Sequence, residues 1–192
     1  MKIFISGGCK NGKSFYAQHL AKALAETQHT ALYYIATMKP VDAEDNERIL
    51  THKCEREGWG FTTIEQPFDI EKILDRCEFG GSFLLDSLTA LLANEMFLPG
   101  GEVYEYATGK ITNALLEVLT SIRNIVIVSD YIYSDAIKYC VMTEKYRKSL
   151  AQIDCLTARS CDIVLEAGYS NIIVHKGSEI WPELWSKCEK IF

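Results

Sequence analysis

At 192 residues, 48% of them hydrophobic, the chain is expected to form one domain (residues 1–192) around a substantial core. Its net charge of −6 comes without a long basic stretch, which argues against nucleic acid as a partner. Seven cysteines, an odd number without C-x-x-C spacing, argue against a disulfide framework, and no histidine–cysteine pairs suggest zinc. With no signal peptide and no apolar run of transmembrane length, we expect a cytoplasmic protein without a membrane span.

A glycine-rich loop separates the first predicted strand from the first predicted helix. Residues 2–6 form a short apolar run typical of a strand, and residues 15–26 place apolar side chains on one helix face. Between them, G-G-C-K-N-G-K-S (7–14) fits the P-loop pattern G-x-x-x-x-G-K-[ST]. Because both flanks are right, a phosphate cradle is favoured over a plain turn. Lys13 is then expected to reach the β- and γ-phosphates, and Ser14 to bind magnesium.

Apolar runs alternate with helical patterns along the rest of the chain. Further strands are predicted at residues 31–36, 61–65, 82–86, 124–130 and 162–167, with an edge strand at 171–175. Helices are predicted at residues 41–56, 69–77, 88–97, 105–123 and 143–160. This alternation predicts an α/β fold of the P-loop NTPase-like type, with a mostly parallel central sheet and helices on both faces.

Two aspartates end predicted strands and compete for one role. Ligands in such sheets lie beyond the carboxyl ends of the strands, where we expect the P-loop, Thr37, Asp86 and Asp130 to share a crevice. P-loop enzymes place an acid at such an end, oriented toward magnesium. Either aspartate could instead cap a helix. Of the two, Asp86 is favoured for a nucleotide or metal role, so that Ser14 and Asp86 are the predicted magnesium ligands.

The predicted helix at residues 41–56 carries a dense charge pattern. Arg48 and His52 are four residues apart and share a helix face, with Lys53 and Arg56 close beside them. A histidine among cations should have a lowered pKa and stay neutral, leaving a ring nitrogen free to attack a phosphorus atom. The same cations could offset the charge that develops there. From the residues alone, however, a solvated helix face is the favoured interpretation.

Four segments of the first hundred residues form a combination more specific than a P-loop. They are G-G-C-K-N-G-K-S (7–14), Y-I-A-T (34–37), E-R-I-L-T-H-K-C-E-R (47–56) and L-L-D-S-L-T-A-L-L-A-N (84–94). In order and separation they resemble the bifunctional adenosylcobinamide kinase / adenosylcobinamide-phosphate guanylyltransferase family of cobalamin biosynthesis. Farther on, S-D-Y-I-Y-S-D-A-I-K (129–138) lacks the glycines of the family pattern.

The resemblance implies a transferase with two activities. One is phosphorylation of adenosylcobinamide with GTP or ATP as the donor, and the other is guanylyl transfer to the resulting phosphate through a histidine–GMP intermediate. It places the nucleophile at His52, with Lys13 as the other catalytic residue, and implies a corrinoid substrate, Mg²⁺ and a homo-oligomer. The nucleotide contacts that it implies are Gly7, Gly8, Cys9, Lys10, Asn11, Gly12, Lys13, Ser14, Thr37, Met38, Lys39, Lys53, Cys54, Glu55, Arg56, Glu65 and Asp86.

Two other hypotheses stay open. A divergent P-loop kinase could phosphorylate another small hydroxyl compound, and only the guanylyltransferase would require His52 to become linked to GMP. A nucleotide-binding regulatory protein would bind GTP but release neither pyrophosphate nor GDP, whatever acceptor is offered.

Overall fold

In the computed structural model, one seven-stranded sheet forms the centre of the described chain, with the strand order β3-β2-β4-β5-β1-β6-β7. The structure describes residues 1–40, 47, 49–50, 53–54, 56–133, 135–169 and 171–188. The first six strands are parallel, as predicted, and β7 is an edge strand, also as predicted. The structure adds that β7 pairs antiparallel with β6. The strands are β1 (Lys2–Gly7), β2 (Leu32–Ala36), β3 (Phe61–Glu65), β4 (Ser82–Asp86), β5 (Asn124–Asp130), β6 (Ile163–Gly168) and β7 (Asn171–Lys176).

The helices follow the predicted pattern with two differences. The helix expected at residues 69–77 is a short 3₁₀ helix at Ile70–Asp75, and a C-terminal helix was not predicted. Of the predicted helix at 41–56, residues 47, 49–50 and 53–54 are helical, and the rest lies outside the described residues or, at Arg56, in a turn. The longer α-helices of the described residues are α1 (Lys13–Gln28), α2 (Leu88–Met96), α3 (Ala107–Ser121), α4 (Val141–Ser160) and α5 (Trp181–Cys188).

Strand β5 shows how the sheet divides the core into two layers. Ile125 and Ile127 belong to the hydrophobic cluster that includes α2, α3 and α4, whereas Val126 and Val128 belong to the cluster that includes α1 and α5. Side chains alternate along a strand, so Asp130, two residues after Val128, lies on the α1 face. Helices therefore cover both faces of the sheet, which confirms the predicted fold class.

Two expectations of composition can be compared with the structure. All seven cysteines are free thiols, in agreement with the expectation that there is no disulfide framework. Within the described ranges, no helix combines the length and the apolar character needed to cross a membrane.

The parallel arrangement determines where the functional residues meet. Strands β1, β2, β4 and β5 end at Gly7, Ala36, Asp86 and Asp130, and these carboxyl ends lie at the same edge of the sheet. The central strands are mostly buried, which explains why their sequences are largely apolar. Ligands of parallel α/β sheets bind beyond the carboxyl ends of the strands, so the predicted crevice lies at this edge.

Candidate active site

The loop between β1 and α1 packs directly against strand β6. A Cβ atom on Gly7 would lie 2.4 Å from the carbonyl oxygen of Ala167, so only glycine allows this close approach. The Asn11 side-chain amide donates to the same carbonyl at 3.5 Å. Gly12, the last residue before α1, has a positive φ of 79°, a conformation that favours glycine. The glycines of the motif thus shape a loop that ends at a helix N-terminus, the geometry that binds phosphate.

Lys13 is buried and held by two acceptors. Its Nζ donates to the carbonyl oxygen of Gly8 at 2.6 Å and lies 2.8 Å from Oδ1 of Asp130. An ammonium group has three donors, and these contacts account for two of them. The Lys13 side chain is only 7% exposed, whereas that of Asp130 is 30% exposed. The lysine of the P-loop is therefore fixed in position by the strand that lies next to β1.

A second buried cation lies on the same face of the sheet. The Arg56 guanidinium lies 3.5 Å above the ring of Tyr34, and Arg56 is 7% exposed. Its Nη1 atom is buried and has no hydrogen-bond partner among the residues that the structure describes. The Tyr34 hydroxyl donates to Oδ2 of Asp86 at 3.0 Å. Burial and the nearby Asp86 charge raise the pKa of Tyr34 well above its usual value, so the phenol stays neutral and remains a donor.

Beside Arg56 lies a cleft of about 500 Å³ at the β3 edge of the sheet. Lys53 also lines it, and its Nζ lies 3.5 Å from Oε1 of Glu65 in an exposed ion pair. The cleft therefore contains two cations and is of the size that a small ligand needs. Its remaining lining residues are Glu57, Gly58, Gly60, Phe61 and Thr63.

Thr37 connects the end of β2 to the start of α2. Its hydroxyl donates to the carbonyl oxygen of Ser87 at 2.8 Å and accepts from the Ser87 N–H at 2.7 Å, while Asn94 donates to the Thr37 carbonyl oxygen. The Ser87 hydroxyl in turn accepts from the N–H of Ala90, which makes Ser87 the N-cap of α2. Helix capping therefore does not explain Asp86, and no helix begins at Asp130, because α4 starts at residue 141.

The other predicted contacts lie in different surroundings. Lys39 places its Nζ 5.6 Å from the ring centre of Phe68, and Met38 is half-buried next to it in the chain. His52 lies outside the described residues, as do Arg48 and Glu55. The structure thus brings together Lys13 with Asp130, and Arg56 with Tyr34 and Asp86. The predicted contacts that are exposed are Cys9, Lys10, Gly12, Lys39, Lys53, Cys54 and Glu65.

Residues that the motifs did not identify support the loop after β5. Arg147, which is 7% exposed, donates from Nε to the carbonyl oxygen of Ile132 and from Nη2 to Asp135 at 2.7 Å. Its Nη1 bonds to Glu144 at 2.8 Å and its guanidinium faces the ring of Tyr139. One arginine on α4 therefore fixes several points of this loop. The sequence signal for this arginine is the tyrosine-arginine pair at residues 146–147.

A buried acid lies behind the same loop, on the opposite face from Asp130. Asp154 accepts hydrogen bonds through Oδ2 from Ser129 and from Tyr133, each at 3.0 Å. Its Oδ1 is buried and has no partner among the described residues. Burial raises the pKa of Asp154 to about 7, since the ionised form is poorly solvated there. This acid links β5, the following loop and α4.

Magnesium is compatible with the residues at the P-loop. The structure has no cluster of three metal-ligating side chains in its described part, but magnesium bound with nucleotide phosphates needs only one or two protein ligands. The Ser14 hydroxyl and the Asp86 carboxylate supply the hard oxygen donors that this ion prefers. Within the described residues Asp86 forms no salt bridge, in contrast to Asp130. These two residues therefore fit the metal.

The model of one protein family matches residues 3–170, nearly the whole chain. That family is described as cobinamide kinase / cobinamide phosphate guanyltransferase, or CobU. The chain belongs to the CobU family. Membership places it among the transferases of cobalamin biosynthesis that act on corrinoid and nucleotide substrates.

Other comparisons are more distant. No curated protein matches the sequence with statistical significance. Among solved structures, the flagellar accessory protein FlaH from Methanocaldococcus jannaschii aligns with a TM-score of 0.45 and 12% identity, over 91% of this chain and 77% of its own. A KaiC-like protein from Pyrococcus horikoshii OT3 aligns with a TM-score of 0.48 and 14% identity, over 93% and 79%. No functional statement follows from either likeness.

Proposed function

We propose that this CobU-family protein phosphorylates adenosylcobinamide and then transfers GMP from GTP to the new phosphate through a histidine–GMP intermediate. The observation that carries this proposal is the presence of two buried cations, Lys13 and Arg56, on the α1 face of the sheet. Two phosphate-transfer steps on one acceptor each require a positive group at the phosphorus that reacts. The family match supports a cobinamide compound as the acceptor.

The kinase step is assigned to the P-loop. Backbone N–H groups of residues 7–14 and the Lys13 ammonium bind the β- and γ-phosphates, and the fixed position of Lys13 orients the γ-phosphate for in-line transfer. Ser14 and Asp86 hold magnesium, which neutralises phosphate charge when it is bound. The donor is GTP or ATP. Cys9, Lys10 and Asn11 complete the loop through their backbone groups.

The guanylyl-transfer step is assigned to the helix that ends before Arg56. A neutral His52 nitrogen attacks the α-phosphorus of GTP, the bond to the pyrophosphate oxygen breaks, and the pyrophosphate leaves with the electron pair. Arg56 and Lys53 lie at the cleft where they can neutralise the phosphate oxygens. The buried Arg56 donor without a partner is the group best suited to a phosphate oxygen.

The other nucleotide contacts belong to the same proposal. Residues 37–39 follow the carboxyl end of β2, where Thr37 bonds to Ser87 beside Asp86. Residues 53–56 precede β3, and Arg56 in this segment is connected to Asp86 through Tyr34. Glu65 ends β3 and pairs with Lys53, which places it at the rim of the cleft. We further propose that the protein acts as a homo-oligomer in the cytoplasm.

The covalent intermediate provides the decisive test. The protein is incubated with GTP labelled at the α-phosphate and with Mg²⁺, and the intact mass and acid lability of any adduct are measured. We expect an acid-labile, alkali-stable GMP adduct that is absent from His52→Ala, because the attacking nitrogen is removed. His175→Ala is the matched control, since that histidine is exposed on the edge strand and pairs with Glu166.

The outcome separates the open hypotheses. An adduct of the same yield in His52→Ala would reject this histidine as the nucleophile. Phosphorylated corrinoid without any adduct would indicate a kinase without guanylyltransferase activity. Phosphorylation of a different hydroxyl compound would indicate a divergent kinase. Bound GTP with neither pyrophosphate nor GDP released would indicate a regulatory protein without catalysis.

A further inference from the structure

Asp130 has a position that the nucleotide contacts do not explain. It ends β5, the strand that lies between β1, which carries the P-loop, and β4, which ends at Asp86. In the register of the sheet, Asp86 is level with Val128, and Gly7 is level with Asp130. Asp130 therefore extends about 7 Å farther toward the crevice than Asp86 does.

The carboxylate of Asp130 faces the phosphate cradle. Val126 and Val128 pack on the α1 side of the sheet, whereas Ser129 points to the other side and bonds to Asp154. Asp130 consequently lies on the α1 side, where its Oδ1 is 2.8 Å from the Lys13 ammonium. A phosphate that binds Lys13 would be a direct neighbour of this carboxylate.

The backbone around Asp130 is held by helix α2 on one side and by strand β1 on the other. Its N–H donates to the hydroxyl of Thr89 at 2.8 Å, and the next N–H, of Tyr131, donates to the carbonyl oxygen of Gly7 at 2.8 Å. The carbonyl oxygen of Thr89 accepts from Tyr146, which ties the same point to α4. The carboxylate is nevertheless 30% exposed, so a molecule in the crevice can reach it.

We propose that Asp130 is the general base of the phosphoryl-transfer step, an inference that rests on the proposed kinase function. The acceptor hydroxyl attacks the γ-phosphorus, an oxygen–phosphorus bond forms, and the bond to the β-phosphate oxygen breaks with its electron pair on the leaving nucleoside diphosphate. The hydroxyl proton passes to the Asp130 carboxylate and later to water. In this step Asp130 accepts the positively charged proton, and Lys13 binds the negatively charged phosphate.

The test compares Asp130→Asn with Asp130→Glu. Asparagine keeps an oxygen that can hold Lys13, but it cannot accept the proton. We therefore expect kcat for cobinamide phosphorylation to fall by at least about 100-fold in Asp130→Asn, with a partial return in Asp130→Glu. Affinity for a non-hydrolysable GTP analogue and the yield of the His52–GMP adduct should stay within about threefold of wild type, because neither needs the base.

A control variant and a second readout complete the design. Glu166→Gln removes an acid from the neighbouring β6, where Glu166 pairs with the exposed His175, and should leave turnover unchanged. Phosphate release from GTP without an acceptor is also measured, since water then takes the place of the hydroxyl. Asp130→Asn should also slow this hydrolysis of GTP.

Each other outcome rejects a stated part of the proposal. Near wild-type phosphorylation by Asp130→Asn overturns the general base. A loss of turnover with an equal loss of analogue affinity also overturns it, because Asp130 would then only position Lys13. A wild-type protein that hydrolyses GTP but leaves cobinamide unchanged rejects the proposed kinase function, while Asp130→Asn still tests the base on water. No turnover of either kind rejects both.

Discussion

The two buried cations of this site differ in what holds them. Lys13 has two polar partners, the Gly8 carbonyl and the Asp130 carboxylate. Arg56 is stacked on the face of Tyr34, and its Nη1 atom has no partner within the described part of the chain. Both side chains are almost fully buried, so the difference lies in hydrogen bonding rather than in exposure.

This difference indicates two ways of preparing a phosphate contact. The Lys13 ammonium is a compact charge that is already positioned, so a phosphate gains a fixed partner at little cost in reorganisation. A buried donor without a partner carries a desolvation penalty of about 1–3 kcal/mol, and more when it is charged like this guanidinium; a bound phosphate oxygen would remove that penalty. Lys13 therefore favours precise orientation of the phosphate, and Arg56 favours tight binding.

Removing Lys13 should produce the largest effect. We expect Lys13→Ala to reduce phosphoryl transfer by at least about 100-fold, because the ammonium group that binds the negatively charged β- and γ-phosphates is lost. Initial rates of corrinoid phosphorylation, together with the nucleotide Kd, measure it. Lys187→Ala, which removes a lysine from a surface pair on α5, is the control. Unchanged turnover in Lys13→Ala would show that the loop is not the phosphate cradle of the reaction.

Changing Arg56 should separate the two cations. We expect Arg56→Lys to lower the rate of GMP-adduct formation by roughly 10- to 100-fold, since lysine keeps the charge but loses the planar, stacked donor fork. Phosphoryl transfer should change by less than about threefold, because Lys13 serves that step. Rapid-quench measurements of both rates test this. Arg123→Lys, at an exposed position, is the control.

An equal loss of both rates in Arg56→Lys would contradict the division of labour between the two cations. Thermal unfolding of the variant shows whether a loss of fold stability is the cause. A fall in Tm together with both rates would indicate that the stack on Tyr34 serves mainly the fold.

The phosphate cradle could be predicted because its signals are local. Glycine spacing, an apolar run before it and a helical face after it all lie within the first 26 residues, and local patterns of this kind report directly on strands and helices. The family match also followed from contiguous motifs. Asp86 and Asp130 were both recognised as strand ends for the same reason.

The pairing of Lys13 with Asp130 depends on strand order, which local patterns do not contain. Only because β5 is inserted between β4 and β1 does Asp130 become the neighbour of the P-loop. The stack of Arg56 on Tyr34 likewise joins residues 22 positions apart. Helix α5 was missed because it is only eight residues long and is stabilised by tertiary contacts, such as the rings of Trp185 and Tyr16 at 5.9 Å.

Tyr34→Phe should produce the smallest effect, and it tests whether the two cations are coupled. Phenylalanine keeps the ring beneath Arg56 but removes the hydroxyl that donates to Asp86. We expect phosphoryl transfer and adduct formation to fall together, each by about two- to tenfold, which corresponds to the loss of one hydrogen bond. Both rates are measured in the same preparation.

Tyr33→Phe provides a matched control, because the neighbouring Tyr33 hydroxyl accepts from the N–H of Glu78 and lies in the core cluster on the opposite face of the sheet. It should leave both rates unchanged. If Tyr34→Phe altered only one rate, Asp86 would serve a single step, and the two cations would act independently. A joint loss means that the Tyr34 hydroxyl transmits the position of Asp86 to Arg56. Burial and the nearby Asp86 charge raise the pKa of this phenol above its usual value, so it remains a donor.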